Sequence, residues 1–369
     1  MDELEARVAL VVARKFTPAA LANLMKRFGS AAAVLGAGKD ALLSVPGVNR
    51  QGPDALAEVV RERLHLKELE QARQHGIALV SSADPAYPEL LRRIEDPPIL
   101  LYVKGTLHAD DTLALAIVGS RDATVYGTSQ AARFARDFAT RRITVVSGLA
   151  RGIDTAAHRA ALEGGGRTLA VVGSGLLDVY PPENKRFVGD VASSGAAVSE
   201  FPLDTPGVAR NFPQRNRIIS GLSLGVLVIE AGLKSGSLIT AGLAGEQGRE
   251  VFAVPGKVDH ELSRGAHKLI REGARLVEEP SHVYEELAML KLLPEQPAGE
   301  SAKAVLPNGL SSTEGALWPL LMPSDPLTVD ELIERSGLPA AQVASGLLTL
   351  EMKRLARGLP GKRYVRLDQ

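Results

Sequence analysis

Between residues 76 and 280 the chain repeats one pattern, a short run of strand-forming residues followed by a stretch with helical periodicity, and this restricts its fold more than any other feature. The runs fall at 76–81, 99–103, 113–118, 143–147, 168–172, 196–199, 225–229, 250–254 and 275–278. Strands this short, alternating with helices, predict an α/β fold with a doubly wound, mostly parallel sheet. The near-continuous apolar runs Leu-Ala-Leu-Ala-Ile-Val (113–118) and Gly-Val-Leu-Val-Ile (225–229) belong to strands covered on both faces. In such sheets ligands sit beyond the carboxyl ends of the strands. Here those ends carry Gly119-Ser120-Arg121, Ser147-Gly148-Leu149-Ala150-Arg151-Gly152, Gly173-Ser174-Gly175, Ser199-Glu200-Phe201-Pro202, Glu230-Ala231-Gly232 and Pro255-Gly256, so one edge gathers glycines, hydroxyls and arginine.

The flanks differ in texture. Residues 1–75 show apolar stripes at 4–12, 19–25, 31–35 and 56–69 with no strand alternation, which predicts a small helical domain. Within it, the segment from Leu43 to Gly52 reads as an ordinary turn between packed helices, or as a helix-hairpin-helix turn presenting backbone N–H groups to a DNA phosphate. Residues 76–290 form the sheet domain, and 291–310, rich in Pro, Gly, Ala and charge without periodicity, read as a linker. In 311–369, helices are expected at 311–322, 328–336 and 339–352, followed by a hairpin across Gly358-Leu359-Pro360-Gly361; three helices and a hairpin make a winged helix.

Composition removes several functions. At 369 residues the chain has room for two or three domains. It has no cysteine, which excludes disulfides, thiol catalysis and thiolate metal sites. Its seven histidines include no pair three or four residues apart, so no metal is expected. There is no GxxxxGK[ST], and the run Val172-Gly-Ser-Gly-Leu-Leu-Asp178 breaks the dinucleotide fingerprint at its last glycine, so no nucleotide cofactor is expected. The opening MDELEARVALVVARKF suits neither a secretory signal nor a membrane span, and a cytoplasmic protein is expected. Basic and acidic residues balance at 43 each, so any anion site must be a local patch. One stretch, 205–229, has no Asp or Glu yet holds Arg210, Arg215 and Arg217.

Five motifs could build such a patch. Gly119, Ser120 and Arg121 precede a helix start, where phosphates are attracted; Arg121 could instead brace the loop against Asp122 or Glu230. Gly148 opens a glycine-rich turn into a helix, with Asp154 read as bonding backbone N–H groups and His158 as a packed residue. The run Val172 to Asp178 places further glycines at a strand end. Asn211-Phe-Pro-Gln-Arg215-Asn216-Arg217 combines cations, amides and a ring, suited to a sugar-phosphate strand or to a solvated basic loop. Lys234, Ser235, Gly236 and Ser237 offer hydroxyls and N–H groups at another helix start, where capping is the alternative role.

Taken in order, IVGSR…TxYG (117–127), SGLARGIDTAAH (147–158), VVGSGLLDVYPPEN (171–184), SEFP (199–202), FPQRNRIISGLS (212–223), EAGLKSGSLITA (230–241) and VFAVPG (251–256) resemble the DNA-processing protein A family (DprA, also called Smf). The likeness is strong over 115–275, and the flanks match longer members with a SAM/helix-hairpin-helix-like front and a winged-helix tail. It implies a Rossmann-like domain that binds single-stranded DNA, no catalysis, loading of RecA recombinase during natural transformation, contact with single-strand-binding protein, and a homodimer built through that domain. Carried over by motif, Arg121 is the leading DNA contact, followed by Lys185 after YPPEN and by Arg215 and Arg217. The chain departs from the pattern where Asn49 replaces the hairpin's second glycine, and where the third helix of the winged helix has no Lys or Arg between Pro339 and Glu351 while Lys353, Arg354, Arg357, Lys362, Arg363 and Arg366 cluster near the wing. A more distant resemblance is to nucleoside-monophosphate phosphoribohydrolases, whose PGGxGTxxE motif ends in an acid; here the stretch is KSGSLITA, with Thr240 near that place.

Overall fold

A computed structural model describes residues 1–291, 310–321, 327–359 and 361–367. All but the ends of the expected 291–310 linker, and Pro360 of the expected wing turn, lie outside the described residues. The chain divides into two compact units, residues 1–123 with 130–292 and residues 124–129 with 293–369.

In the larger unit, six helices come first: α1 (Glu3–Val12), α2 (Pro18–Phe28), α3 (Ala31–Gly36), α4 (Lys39–Leu43), α5 (Gln51–Arg61) and α6 (Leu64–Gln74). Local chemistry sets their ends. Asp2 and Glu5 close a capping box on α1, Thr17 caps α2 with Pro18 at its first position, and Gly29 ends α2 in the left-handed conformation. Nine strands follow: β1 (Ala78–Ser81), β2 (Leu100–Gly105), β3 (Ala114–Val118), β4 (Thr144–Ser147), β5 (Thr168–Val171), β6 (Ala196–Ser199), β7 (Gly225–Val228), β8 (Glu250–Ala253) and β9 (Arg275–Leu276). Interleaved with them are α7 (Glu89–Arg92), α8 (Val125–Thr140, of which this unit holds residues 130–140), α9 (Ile153–Glu163), α10 (Phe187–Ser194), α11 (Asn211–Gly221), α12 (Gly236–Glu246), α13 (Arg264–Arg271), α14 (Pro280–Glu286) and α15 (Ala288–Lys291).

The strand order is β1-β2-β6-β5-β4-β3-β7-β8-β9. β2 is antiparallel to both of its neighbours, and the remaining pairs are parallel, so the sheet is mostly parallel and doubly wound as expected. From β3 the chain winds outward through β4, β5 and β6, then returns to lay β7 on the other side of β3. The β3–β7 seam is therefore the switch point at which such sheets open a crevice. All five residues of β3 are buried, which explains its unbroken apolar run. Alternation distributes the strands between two cores: Ala170 and Val172 join the cluster containing α1–α6 residues such as Leu10, Leu24 and Val59, whereas Leu169 and Val171 join Ile218, Ile219 and Val226. The N-terminal helical domain is thus present with a core continuous with that of the sheet. No helix among the described residues is long and apolar enough to cross a membrane.

In the smaller unit, α16 (Ser312–Leu317), α17 (Val329–Ser336) and α18 (Ala340–Met352) pack around Leu317, Leu332, Val343, Leu347 and Leu350. Strands β10 (Leu327–Thr328), β11 (Ala356–Leu359) and β12 (Arg363–Arg366) form a small sheet in the order β10-β12-β11. This is a winged helix. Its third strand, β10, was not expected from the sequence, being two residues long and without a pattern to show it.

Candidate nucleic-acid interface

A pocket of about 920 Å³ opens at the β3–β7 seam. Gly119, Ser120 and Arg121 leave β3 along one wall, and Lys234, Ser235, Gly236 and Ser237 lead into α12 along the other. Arg215 and Asn216 come from α11. Nine of the residues expected at the site are brought together here. Gly148 lines a small adjoining pocket with Arg121, Tyr180, Phe212 and Arg215.

Close packing accounts for the glycines. A Cβ on Gly119 would fall 2.6 Å from Ile153 Cγ1, and one on Gly148 would overlap the Arg215 guanidinium. Gly152 has φ +69°, and its Cβ would overlap the Ser120 carbonyl, so the β3 and β4 loops can approach only with glycine there. Asp154, in the first turn of α9, accepts from the N–H groups of Gly148 at 3.1 Å and Ala150 at 3.3 Å, as read from the sequence. His158 is fully buried, its Nδ1 2.6 Å from the hydroxyl of Thr168, and burial holds the ring down to about 3, with Arg215 adding to the effect. It is a neutral packed residue.

Arg121 and Arg215 give the pocket its charge. Both lie over the Phe212 ring, with guanidinium carbons 5.0 and 5.9 Å from its centroid, and the Tyr180 ring lies 5.7 Å from the same centroid. Exposed Arg121 thus stacks on Phe212 rather than pairing with the adjacent Asp122. Arg215 is only 4% exposed, and its Nε and Nη1 have no hydrogen-bond partner. Burial pulls its guanidinium down to about 10; Asp154 opposes that and Arg121 reinforces it. Burial also pushes the Asp154 carboxyl up, against Arg215 and the two backbone N–H groups. A buried cation with unused donors, beside a second cation, suits an incoming anion. The start of α12 adds oriented N–H groups, with Ser235 capping Ser237 N at 3.3 Å, and Asn216 Nδ2 ties α11 to it through the Gly236 carbonyl at 3.3 Å.

Three expected contacts lie elsewhere. Arg217 is 5% exposed, bonded to Glu200 and to the Asp96 carbonyl, and does not line the pocket. The reason is helix phase: two residues beyond Arg215 on α11, its side chain points to another face. Arg210, just before α11, is exposed in a different cavity, and Lys185 is exposed ahead of α10, outside the pocket lining. Two aromatic residues, Phe212 and Tyr180, join the site without having been singled out as site residues; the ring within FPQRNR was the available signal for Phe212. In the hairpin turn, Asn49 Oδ1 accepts from Gln51 N and Gly52 N, each at 2.9 Å, so these N–H groups are satisfied internally. In the winged helix, Lys353 donates to Glu314 at 2.8 Å, and Arg366 lies 4.7 Å from the Trp318 centroid.

Gly148→Ala isolates the role of Arg215. The added methyl meets the far end of a flexible side chain, so the expected cost in stability is about 1–3 kcal/mol. Displacing the guanidinium should nevertheless weaken anion binding about tenfold, as expected for loss of one charge-assisted contact. Thermal unfolding and oligonucleotide titration of the same variant check both values.

Fold and site together define a Rossmann-like protein with an arginine-lined crevice at its switch point. Residues 78–288 match the family model for DNA recombination-mediator protein A, and residues 301–362 match that for the DprA winged helix domain. The chain is 44% identical over 308 residues to protein Smf of Escherichia coli K12, covering 81% of this chain and 79% of that protein. It is 45% identical over 197 residues to DNA processing protein DprA of Streptococcus pneumoniae, covering 53% of this chain and 70% of the relative. The X-ray structure of DprA from Streptococcus pneumoniae superposes with a TM-score of 0.68 at 34% identity, covering 77% of this chain and 98% of that one. This chain belongs to the DNA-processing protein A (DprA/Smf) family.

Proposed function

We propose that this protein binds single-stranded DNA in the switch-point pocket, without catalysing a reaction on it, and so protects the strand and loads RecA recombinase during natural transformation. The observation that carries this reading is the placement of Arg121 and Arg215 over the Phe212 ring, beside the start of α12. Cations next to an aromatic face bind a flexible strand by phosphate contact and base stacking, which favours a single strand over a duplex and gives little sequence preference. Lys185 extends the track as a proposed outer contact. Two features favour binding over catalysis. Thr240 stands near the place of the phosphoribohydrolase acid, and the Asp154 carboxylate already accepts two backbone N–H groups. The cytoplasmic setting, the RecA and single-strand-binding protein contacts and a homodimer through residues 76–290 rest on family membership, with 1–75 and 311–369 as accessory domains.

The test is fluorescence anisotropy with single-stranded and duplex oligonucleotides over a salt series, alongside an assay for base release from nucleoside monophosphates. Salt-sensitive binding that prefers the single strand, with no base released, is the expected result. Base release that disappears in Arg121→Ala would support the enzyme reading instead.

A further inference from the structure

A second cavity, of about 510 Å³, lies where the loop after α1 meets the segment between β6 and α11. It flanks the same turn of α11 as the switch-point pocket. Phe212, Arg215 and Asn216 face that pocket, whereas Gln214 and the preceding Arg210 face this cavity. Two residues that line it each carry a buried polar atom with no hydrogen-bond partner, Glu200 Oε1 and Thr205 Oγ1. The Glu200 side chain is 8% exposed and Thr205 is 9% exposed. Arg217 holds the other carboxylate oxygen of Glu200, which fixes the group and leaves Oε1 as an unused acceptor. The Gln214 side chain hydrogen-bonds the same carboxyl group, which leaves Oε1 itself without a partner. At the mouth, Lys15 and Arg210 are exposed, and Phe16 and Phe201 are half-buried.

Cations outside and a bare acceptor within match the two ends of a nucleotide, its phosphate and an exocyclic amine. We infer that this cavity receives the single strand as it leaves the switch-point pocket, with Lys15 and Arg210 on its phosphates and Glu200 Oε1 accepting from an amino-bearing base. The inference rests on the proposed strand binding and assigns that strand a second, base-discriminating site. A carboxylate oxygen accepts from the cytosine amine and repels the thymine O4, another acceptor. Arg217 is then a positioning residue: it aims Glu200 and does not touch DNA.

The experiment compares dC and dT oligonucleotides of about 6 and about 16 nucleotides, lengths chosen to fill one site or both. Wild type, Arg121→Ala and the double variant Lys15→Ala/Arg210→Ala are measured over a salt series. For wild type the longer dC oligonucleotide should bind about fivefold more tightly than the longer dT one. The double variant changes exposed residues only, so folding is preserved; it should bind the longer oligonucleotide about tenfold more weakly, with a salt slope lower by about 1.4, and the shorter one unchanged. Equal binding of dC and dT, or a double variant that matches wild type at both lengths, overturns this inference while leaving the first pocket intact. If Arg121→Ala binds as wild type does at both lengths, the underlying strand-binding reading fails, and this inference with it.

Discussion

Arg121→Ala should weaken single-stranded DNA binding by one to two orders of magnitude and leave folding unchanged. The side chain is exposed and stacks on one ring, so its removal should alter stability by no more than about 0.5 kcal/mol. Its charge stands at the mouth of the pocket, where a phosphate contact contributes about 1.5–3 kcal/mol. At about 1.4 kcal/mol per tenfold, this contact gives the stated range. The salt slope should fall by about 0.7, the signature of one lost phosphate contact on a single strand. Titration at several salt concentrations, with thermal unfolding on the same samples, checks all three. A variant with unchanged slope would show that Arg121 touches no phosphate.

The second large effect concerns stability. Glu200→Ala should destabilise the larger unit by about 3–5 kcal/mol, because it strands the Arg217 guanidinium in the interior. Their side chains are 8% and 6% exposed, and the nearby Asp96 carboxylate, 3.5 Å away, is partly exposed and offers weaker compensation. Replacing both partners by methionine should restore much of the loss, since a buried ion pair and an apolar pair of similar volume are often close in stability. Urea unfolding of the single and double variants tests this. Equal destabilisation by both would mean that packing, not the uncompensated charge, sets the cost.

These two arginines also show where the sequence was legible. The strands, their order along the chain and the glycine-rich strand ends could all be read, because parallel strands buried on both faces write continuous apolar runs and close loop packing requires glycine. Asp154 was read correctly because a strand-to-helix turn must satisfy its own N–H groups, and His158 because no nucleophile accompanies it in the sequence. Arg215 and Arg217 looked alike, both cations in FPQRNR, and only the helical phase of α11 sends one to the pocket and the other to Glu200. The composition of that stretch suited a solvated basic loop as well, but it is helical, and Pro213 fits a first helical turn whose N–H groups have no partner within the helix. The shared core of α1–α6 and the sheet was equally hidden, since Leu10 and Val172 are far apart in sequence and neither marks the other as a neighbour.

The central claim is that DNA lies in the β3–β7 pocket, and photo-crosslinking locates it directly. A single strand carrying 5-bromouracil, irradiated with the full chain and mapped by mass spectrometry, should attach to peptides containing Phe212 or Tyr180, the rings that line the site. Crosslinks confined to the winged helix or to the 43–52 turn, with none at Phe212 or Tyr180, would contradict it.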